Sequence, residues 1–317
     1  MAKLDKAIYK IFFECLKIKQ GDSCLILVDK HTHQLGYLFF ERAKRSKADV
    51  ALLEIKPPTY RYPEPPRAIV NMMKQMSAVL SFTSHSLFHS NALKQVCHNG
   101  SRVLCMTPVT KECIARSINT DFEFIDKKSR RIADLFSIGR RIHLTTTIGT
   151  DLVIPIARHK GLANTGIVSQ PGMFCLLPSG EASITPDRHG TKGTIIIDGS
   201  IPPIGILENP IKIKVREGYA YQITGGGEVT HLRKILKGFG KESRIVAEFG
   251  IGTNPNAVLS GNSIEDEKVL GTAHIALGSS EFEGGRLRGN LHLDLIVRKP
   301  GVMIDGHPVV EEGKLVV

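Results

Sequence analysis

The sequence predicts an α/β N-terminal domain with a parallel sheet over residues 1–139, followed by a β-rich α+β domain over residues 140–317. Three observations carry this expectation. Helical apolar spacing alternates with short apolar runs as far as residue 106, which is the rhythm of parallel βαβ units. From Arg141 onward, β-branched runs are cut by Gly and Pro, as in antiparallel sheets. The 317 residues, 42% hydrophobic and 23% charged, also suffice for two cores of ordinary globular composition.

In chain order, Leu4, Ala7, Ile8, Ile11, Phe12, Cys15 and Leu16 repeat at helical spacing, so residues 3–18 are predicted helical and Gly21 ends them. CLILVD at 24–29 reads as a buried strand, 34–47 as a helix and VALLEI at 50–55 as the next strand. Pro57, Pro58, Pro63, Pro65 and Pro66 then mark an irregular loop. Helix 67–76, strand 78–83, helix 90–98 and strand 102–106 continue the alternation, and a helix over 122–137 closes the first half. Beyond it, IHLTTTIG, DLVIPI, GTIIIDGSI, IKIKV and YAYQITGG are predicted strands of a mainly antiparallel domain. One helix, at about 227–237, follows Gly225, Gly226 and Gly227.

Composition excludes several classes. No apolar run approaches bilayer-spanning length, and MAKLDKAIYK has no signal-peptide core, so a cytoplasmic protein without a membrane partner is expected. The six cysteines show no CxxC spacing and sit in apolar contexts, which suits buried reduced thiols. Of the net charge of +11, residues 1–140 carry ten, with 23 Lys and Arg against 13 Asp and Glu. These charges are dispersed, and the tightest cluster, Lys127 to Arg131, lies on a solvated helix; no nucleic-acid partner is expected. There is neither GxGxxG after the first strand nor a P-loop, so a nucleotide site is unsupported. Polar residues do follow the strand ends: His31 and His33, Ser84 and His85, Thr107 and Thr110. In parallel sheets such positions face ligand clefts, although solvated loop residues read the same way.

The chemistry gathers in the last third. Between Glu248 and Asp294 run AEFGIGTNPNA, EDEKVLGTAHIALG and GNLHLDLIV. His292-Leu293-Asp294 alternates, so both polar side chains share one strand face while Leu291, Leu293 and Leu295 share the other. With Glu248 and His274 they make a nitrogen and oxygen donor set for a divalent metal, without thiolate. The alternative is that each is a hydrogen-bonded residue buried under a sheet edge. Glu181, at the tip of the turn in LPSGE, is a candidate catalytic base or bridging metal ligand.

As an ordered run, LPSGE at 177–181, GTIIIDGSI at 193–201, ITGGGE at 223–228, AEFGIGTNP at 247–255, GTAHIALG at 271–278, HLD at 292–294 and IDG at 304–306 resemble the aminopeptidase T/aminopeptidase S family of metallopeptidases. TSHSLFHS at 83–90 and GTDLVIPI at 149–156 extend the resemblance into the N-terminal half. It implies a two-metal centre of zinc, cobalt or manganese held by Glu181, Glu248, His274, His292 and Asp294, acting on a small peptide, in a homodimer. Where that family carries a tyrosine ligand this chain has Glu281, followed by Phe282. A second branch of the superfamily, the 2,5-dihydroxypyridine 5,6-dioxygenases, is similar in HLD and in the glycine motifs. It implies one ferrous ion on two histidines and an aspartate, but with a histidine in place of Glu248 and no counterpart of His274. The donor pattern therefore predicts an aminopeptidase-type hydrolase. A ring-cleaving dioxygenase acting on a small hydroxylated aromatic, and a non-catalytic metal-binding homologue, are the alternatives.

Overall fold

The structure, a computed structural model, describes residues 3–57, 64–88, 90–106, 109–187, 189–280 and 291–317. Thr107, Pro58, Pro63, Glu281 and Phe282 lie outside them.

The chain divides into two compact units, residues 1–122 with 165–179, and residues 123–164 with 180–317. The first has a five-stranded sheet in the order Asp49–Ile55, Ser23–Asp29, Ala78–Ser81, Arg102–Cys105, Phe174–Leu176. Every neighbouring pair is parallel, as the alternating sequence predicts. Central strand residues Cys24 to Val28 are fully buried, which is why they read as a continuous apolar run rather than as an alternation. The N-terminal helix starts as Lys3–Lys10 and loosens into a π turn over Ile11–Cys15, where the Leu16 amide bonds the Ile11 carbonyl at 2.9 Å.

The structure departs from the expected division near residue 139 in two ways. Helix Phe122–Ile138 packs Ile132, Ala133 and Phe136 into the core of the second unit. Residues 165–179 return to the first unit, where Phe174–Leu176 extends the parallel sheet. A further helix, Lys111–Ser117, is capped by the Thr110 hydroxyl, which accepts from the Cys113 amide.

Strand-end polar residues of the first unit have structural duties. The buried Asp29 carboxylate accepts from the Ser84 amide at 2.6 Å and the His31 amide at 2.9 Å, tying two loops together. His33 Nδ1 pairs with Glu54 at 2.6 Å on the surface.

All six cysteines are buried thiols, in accord with the sequence expectation. Burial pushes Cys24 and Cys97 up to about 12, far from the thiolate form at neutral pH. Ellman's reagent should therefore titrate fewer than one fast thiol in the native protein and all six in denaturant. Rapid native labelling of two or more would contradict this burial.

In the second unit neighbouring strands pair antiparallel, and Asn254 and Val269 form an isolated parallel bridge. An eight-stranded sheet runs from Tyr219–Gly225 at one edge to Lys314–Leu315 at the other. A five-stranded sheet has the order His292–Val297, Ala273–Gly278, Val246–Gly252, Glu181–Ile184, Leu162–Asn164. One face of this smaller sheet presents Leu293, Leu295, Val297, Ile275, Leu277, Phe249, Ile251, Ala182 and Ile184 to the core. Each large apolar side chain there contributes roughly 1.5–3 kcal/mol of burial, which fixes the register. The other face is the one that carries polar chemistry. Among the described residues no helix is long and apolar enough to cross a membrane.

Candidate metal centre

Register explains how residues far apart in sequence meet. Asp294 stands opposite Ala276, and Ala276 opposite Glu248, forming one row across three strands. His274 stands opposite Gly250, which faces Ser183, and Gly252 faces Glu181. His292 stands opposite Gly278. Cross-strand partners and every second residue share a face, so all five polar side chains project on the side away from the apolar core. Their neighbours on that face are Gly278, Ala276, Gly250 and Gly252. These small residues leave room for the functional side chains to lie over the strands. At Gly250 an added Cβ would fall 2.2 Å from the His274 ring.

The structure brings together all five residues that the sequence singles out. Glu181, Glu248 and His274 form one group of converging donor atoms, and Glu248, His292 and Asp294 form the other. Glu248 joins them: Oε1 lies 3.6 Å from His274 Nε2, and Oε2 lies 3.1 Å from His292 Nε2. His292 Nε2 is also 3.3 Å from Asp294 Oδ1, and His274 Nε2 is 3.2 Å from Glu181 Oε1. A triad of His274, His292 and Asp294 without Glu248 is not among the groups that form in the described residues.

The donor set fits a divalent ion on three counts. Donors about 2.0–2.2 Å from a shared ion sit about 3.0–3.5 Å from one another, close to the spacings observed. His292 Nδ1 donates to the Ser279 carbonyl at 2.9 Å, which aims the Nε2 lone pair at two carboxylate oxygens. Only a proton or a metal ion makes that convergence favourable. Finally, both ring nitrogens of the fully buried His274, and Asp294 Oδ1, lack a hydrogen-bond partner among the described residues. The 3.2 Å approach of His274 to Glu181 is close enough for an ion pair but is not aligned as a hydrogen bond. Donors pointed at a common centre behave this way.

The field is strongly negative. Burial opposes charge on His274, yet Glu181 and Glu248 hold its pKa well above the ordinary imidazole value. His292 is raised in the same sense, against burial, by Asp294 and Glu248. Asp294, against burial, is held far below the carboxylate range by His292. Glu181, also against burial, is lowered to about 2 by Lys268 and His274.

A pH prediction follows from these directions. In the apo protein the raised imidazoles contribute stability that is complete below their unfolded pKa of about 6.5, and that is lost as pH rises through the folded value. Metal binding needs the same rings unprotonated, so affinity climbs over that interval. The metal-induced rise in melting temperature should therefore widen from about pH 6 to about pH 8.5, with protons released on metal uptake. A pH-independent rise would oppose this reading of the two histidines.

Sequence reasoning missed two residues here. Lys268, 1% exposed, places its ammonium against Glu181 Oε2 and 2.5 Å from Glu267 Oε1. Burial, offset in part by Lys268, pushes Glu267 up to about 8, with the Asp294 and Glu181 carboxylates adding to the rise. The available signal was the run Glu265-Asp266-Glu267-Lys268 directly before an apolar strand. A charge run usually marks a solvated surface, but Glu265 and Asp266 are fully buried too. The tyrosine position, Glu281, lies outside the described residues.

Comparison with known proteins refines the family. A search of curated proteins returns no match. Among solved structures, the 2,5-dihydroxypyridine dioxygenase of Pseudomonas putida KT2440 has a TM-score of 0.86 at 21% identity, covering 99% of this chain and 98% of that one. AmpT from Thermus thermophilus has a TM-score of 0.70 at 16% identity, covering 99% of both chains. At these identities both show a shared fold over the whole chain. The sequence model of the NicX family, described as 2,5-dihydroxypyridine 5,6-dioxygenase, matches residues 5–317. Donor identity at Glu248 and His274 had pointed to the peptidase branch. Those are two positions on one sheet, whereas the family match spans both halves of the chain. The superfamily expectation stands, and of its two branches the one expected as the alternative is the better supported: the chain belongs to the 2,5-dihydroxypyridine 5,6-dioxygenase family.

Proposed function

We propose that this protein is a metal-dependent ring dioxygenase acting on a small hydroxylated aromatic or nitrogen heterocycle, with ferrous iron as its metal. The observation that carries the reading is the family match over residues 5–317. The site supports it through a donor set of histidine nitrogens and carboxylate oxygens, the ligand types of non-haem ferrous oxygenases. Glu248, His292 and Asp294 would hold the ion, with His274 and Glu181 on its other side. When bound, ferrous iron supplies the binding and activation of dioxygen beside an electron-rich ring. The chain's own residues orient the donors: the Ser279 carbonyl fixes the His292 tautomer, and Lys268 fixes Glu181. A carboxylate held as low as Glu181 accepts hydrogen bonds and binds cations but is a weak proton acceptor. We therefore assign it a role as ligand, or as acceptor for a substrate hydroxyl, rather than as the general base.

Aminopeptidase-type hydrolysis is the second reading. Its support is the pair of carboxylates beyond Asp294, since a two-histidine, one-carboxylate iron site needs neither Glu181 nor Glu248. One pair of assays separates the two. Protein reconstituted anaerobically with ferrous ion is mixed with 2,5-dihydroxypyridine and oxygen, and dioxygen uptake is followed with the loss of ring absorbance. Protein loaded with zinc, cobalt or manganese is given aminoacyl-arylamides. Stoichiometric oxygen uptake supports the dioxygenase; arylamine release without it would replace that reading with the hydrolase.

A further inference from the structure

Lys268 is among the largest fully buried side chains of the protein, and it carries a charge. Its ammonium is not placed there by a wandering loop. The Lys268 carbonyl accepts from the Asn254 amide at 2.8 Å, and the Lys268 amide donates to the Glu265 carbonyl at 3.0 Å. Leu270 and Gly271 amides bond the carbonyls of Asn254 and Gly252 at 3.1 and 2.9 Å. The approach is so close that a Cβ on Gly252 would lie 2.1 Å from the Val269 carbonyl oxygen. Asp266 anchors the other end, accepting from the Ser200 hydroxyl at 2.6 Å and from the Ser260 amide at 2.7 Å. The ammonium position is thus set by the backbone of the metal-site sheet itself.

What that ammonium touches gives it meaning. Glu181 directs Oε1 to the metal-site cluster, 3.2 Å from His274 Nε2, and gives Oε2 to Lys268. In two-metal centres a bridging carboxylate places one oxygen on each of two ions about 3.5–4 Å apart. Here one oxygen faces the cluster and the other faces a fixed monovalent cation. A further oxygen donor that a second ion would use, Glu267 Oε1, is already engaged by Lys268. Charge is consistent with this arrangement. The three carboxylates that reach the cluster, Glu181, Glu248 and Asp294, are matched by one divalent ion and one ammonium.

Building on the proposed metal site, we propose that Lys268 is the built-in second cation of this centre, occupying the arm of Glu181 that a second metal ion would bridge. Lys268 thereby sets the metal count at one per chain. A purely structural ion pair would leave the count unchanged on its removal, so the count is the readout.

The experiment titrates the full-length apo protein with Mn(II), measuring bound ion by equilibrium dialysis and the spectrum by electron paramagnetic resonance. Wild type is expected to take one ion per chain with the signal of an isolated Mn(II). Lys268→Ala should take two, with the isolated signal replaced by the broadened spectrum of a coupled pair, and Lys268→Arg should stay at one. Removing the ammonium leaves Glu181 and Glu267 buried without their partner, so Lys268→Ala risks misfolding. Lys268→Gln keeps most of the side-chain volume and an amide donor beside Glu181 while leaving Glu267 in place, and it should also take two ions. Two ions in wild type, or one isolated ion in folded Lys268→Ala or Lys268→Gln, would overturn the role of Lys268 while leaving the metal site in place. No ion in wild type would instead remove the metal site, and this inference with it.

Discussion

Replacing Glu248 with Gln is expected to abolish most of the metal-induced stabilisation of this protein. Glu248 is the one residue shared by both donor groups, and it is 3% exposed. Its two oxygens face different histidines, so a neutral amide removes charge from both halves of the site at once. A ligand present at a hundred times its dissociation constant stabilises the native state by about 2.7 kcal/mol. A tenfold loss of affinity would remove about half of that increment, and the hundredfold loss expected here most of it. The apo protein responds through two opposing terms. Repulsion among Glu248, Glu181 and Asp294 is relieved, which alone would raise stability. The attraction between Glu248 and the raised imidazoles of His274 and His292 is lost, which lowers it. Glu248 reaches both rings, at 3.6 and 3.1 Å, so the net apo change is expected to be a loss of about 1–2 kcal/mol. It should be largest below about pH 6.5, where the rings are fully protonated. Melting curves with chelator, and then with manganese, zinc, cobalt or ferrous ion, measure both effects. An unchanged metal-dependent shift in the variant would take Glu248 out of the site.

The parts of this molecule legible in the sequence are those where a short period encodes a face. HLDLIV alternates, which predicts His292 and Asp294 on one side of a strand, and the sheet places them there. The parallel sheet was legible because its buried strands are apolar throughout, as Cys24 to Val28 show. What escaped was encoded over longer distances. Phe174–Leu176 is three residues long, and nothing local says that it pairs with Arg102–Cys105 rather than with the β-rich unit. Lys111–Ser117 is a two-turn helix whose best signal is the single cap at Thr110. Lys268 was hidden because its burial depends on Glu181, 87 positions away, to offset its charge. The preference between the two branches is hard to read locally for a related reason. The ligand identities at Glu248 and His274 are local and favour the peptidase branch, whereas the similarity to the dioxygenase family is spread over residues 5–317.

Gly250→Ala is expected to damage the centre as severely as removing a donor, although Gly250 carries no functional group. It sits in Val246–Gly252, bonded on one side to Ala273–Gly278 and on the other to Glu181–Ile184, so its backbone has no free edge along which to shift. The added methyl would meet His274 Cε1 and Nε2, each at 2.2 Å, far inside van der Waals contact. The imidazole is fully buried and cannot rotate away without vacating its place beside Glu181 and Glu248. Overpacking of this kind destabilises by typically 1–3 kcal/mol. The displaced donor should weaken metal binding by about a hundredfold, at the upper end of what displaced supporting groups cause. A double-mutant cycle isolates the route. If the methyl acts through the ring, Gly250→Ala will lower metal affinity strongly in wild type and very little in a His274→Ala background, where the space is already open. Titration calorimetry with Mn(II) on the four proteins supplies the affinities, and chelator melting curves supply the stabilities. Equal losses in both backgrounds would mean that the methyl distorts the sheet rather than the histidine. Wild-type affinity in Gly250→Ala would show that the His274 ring does not take part in the site.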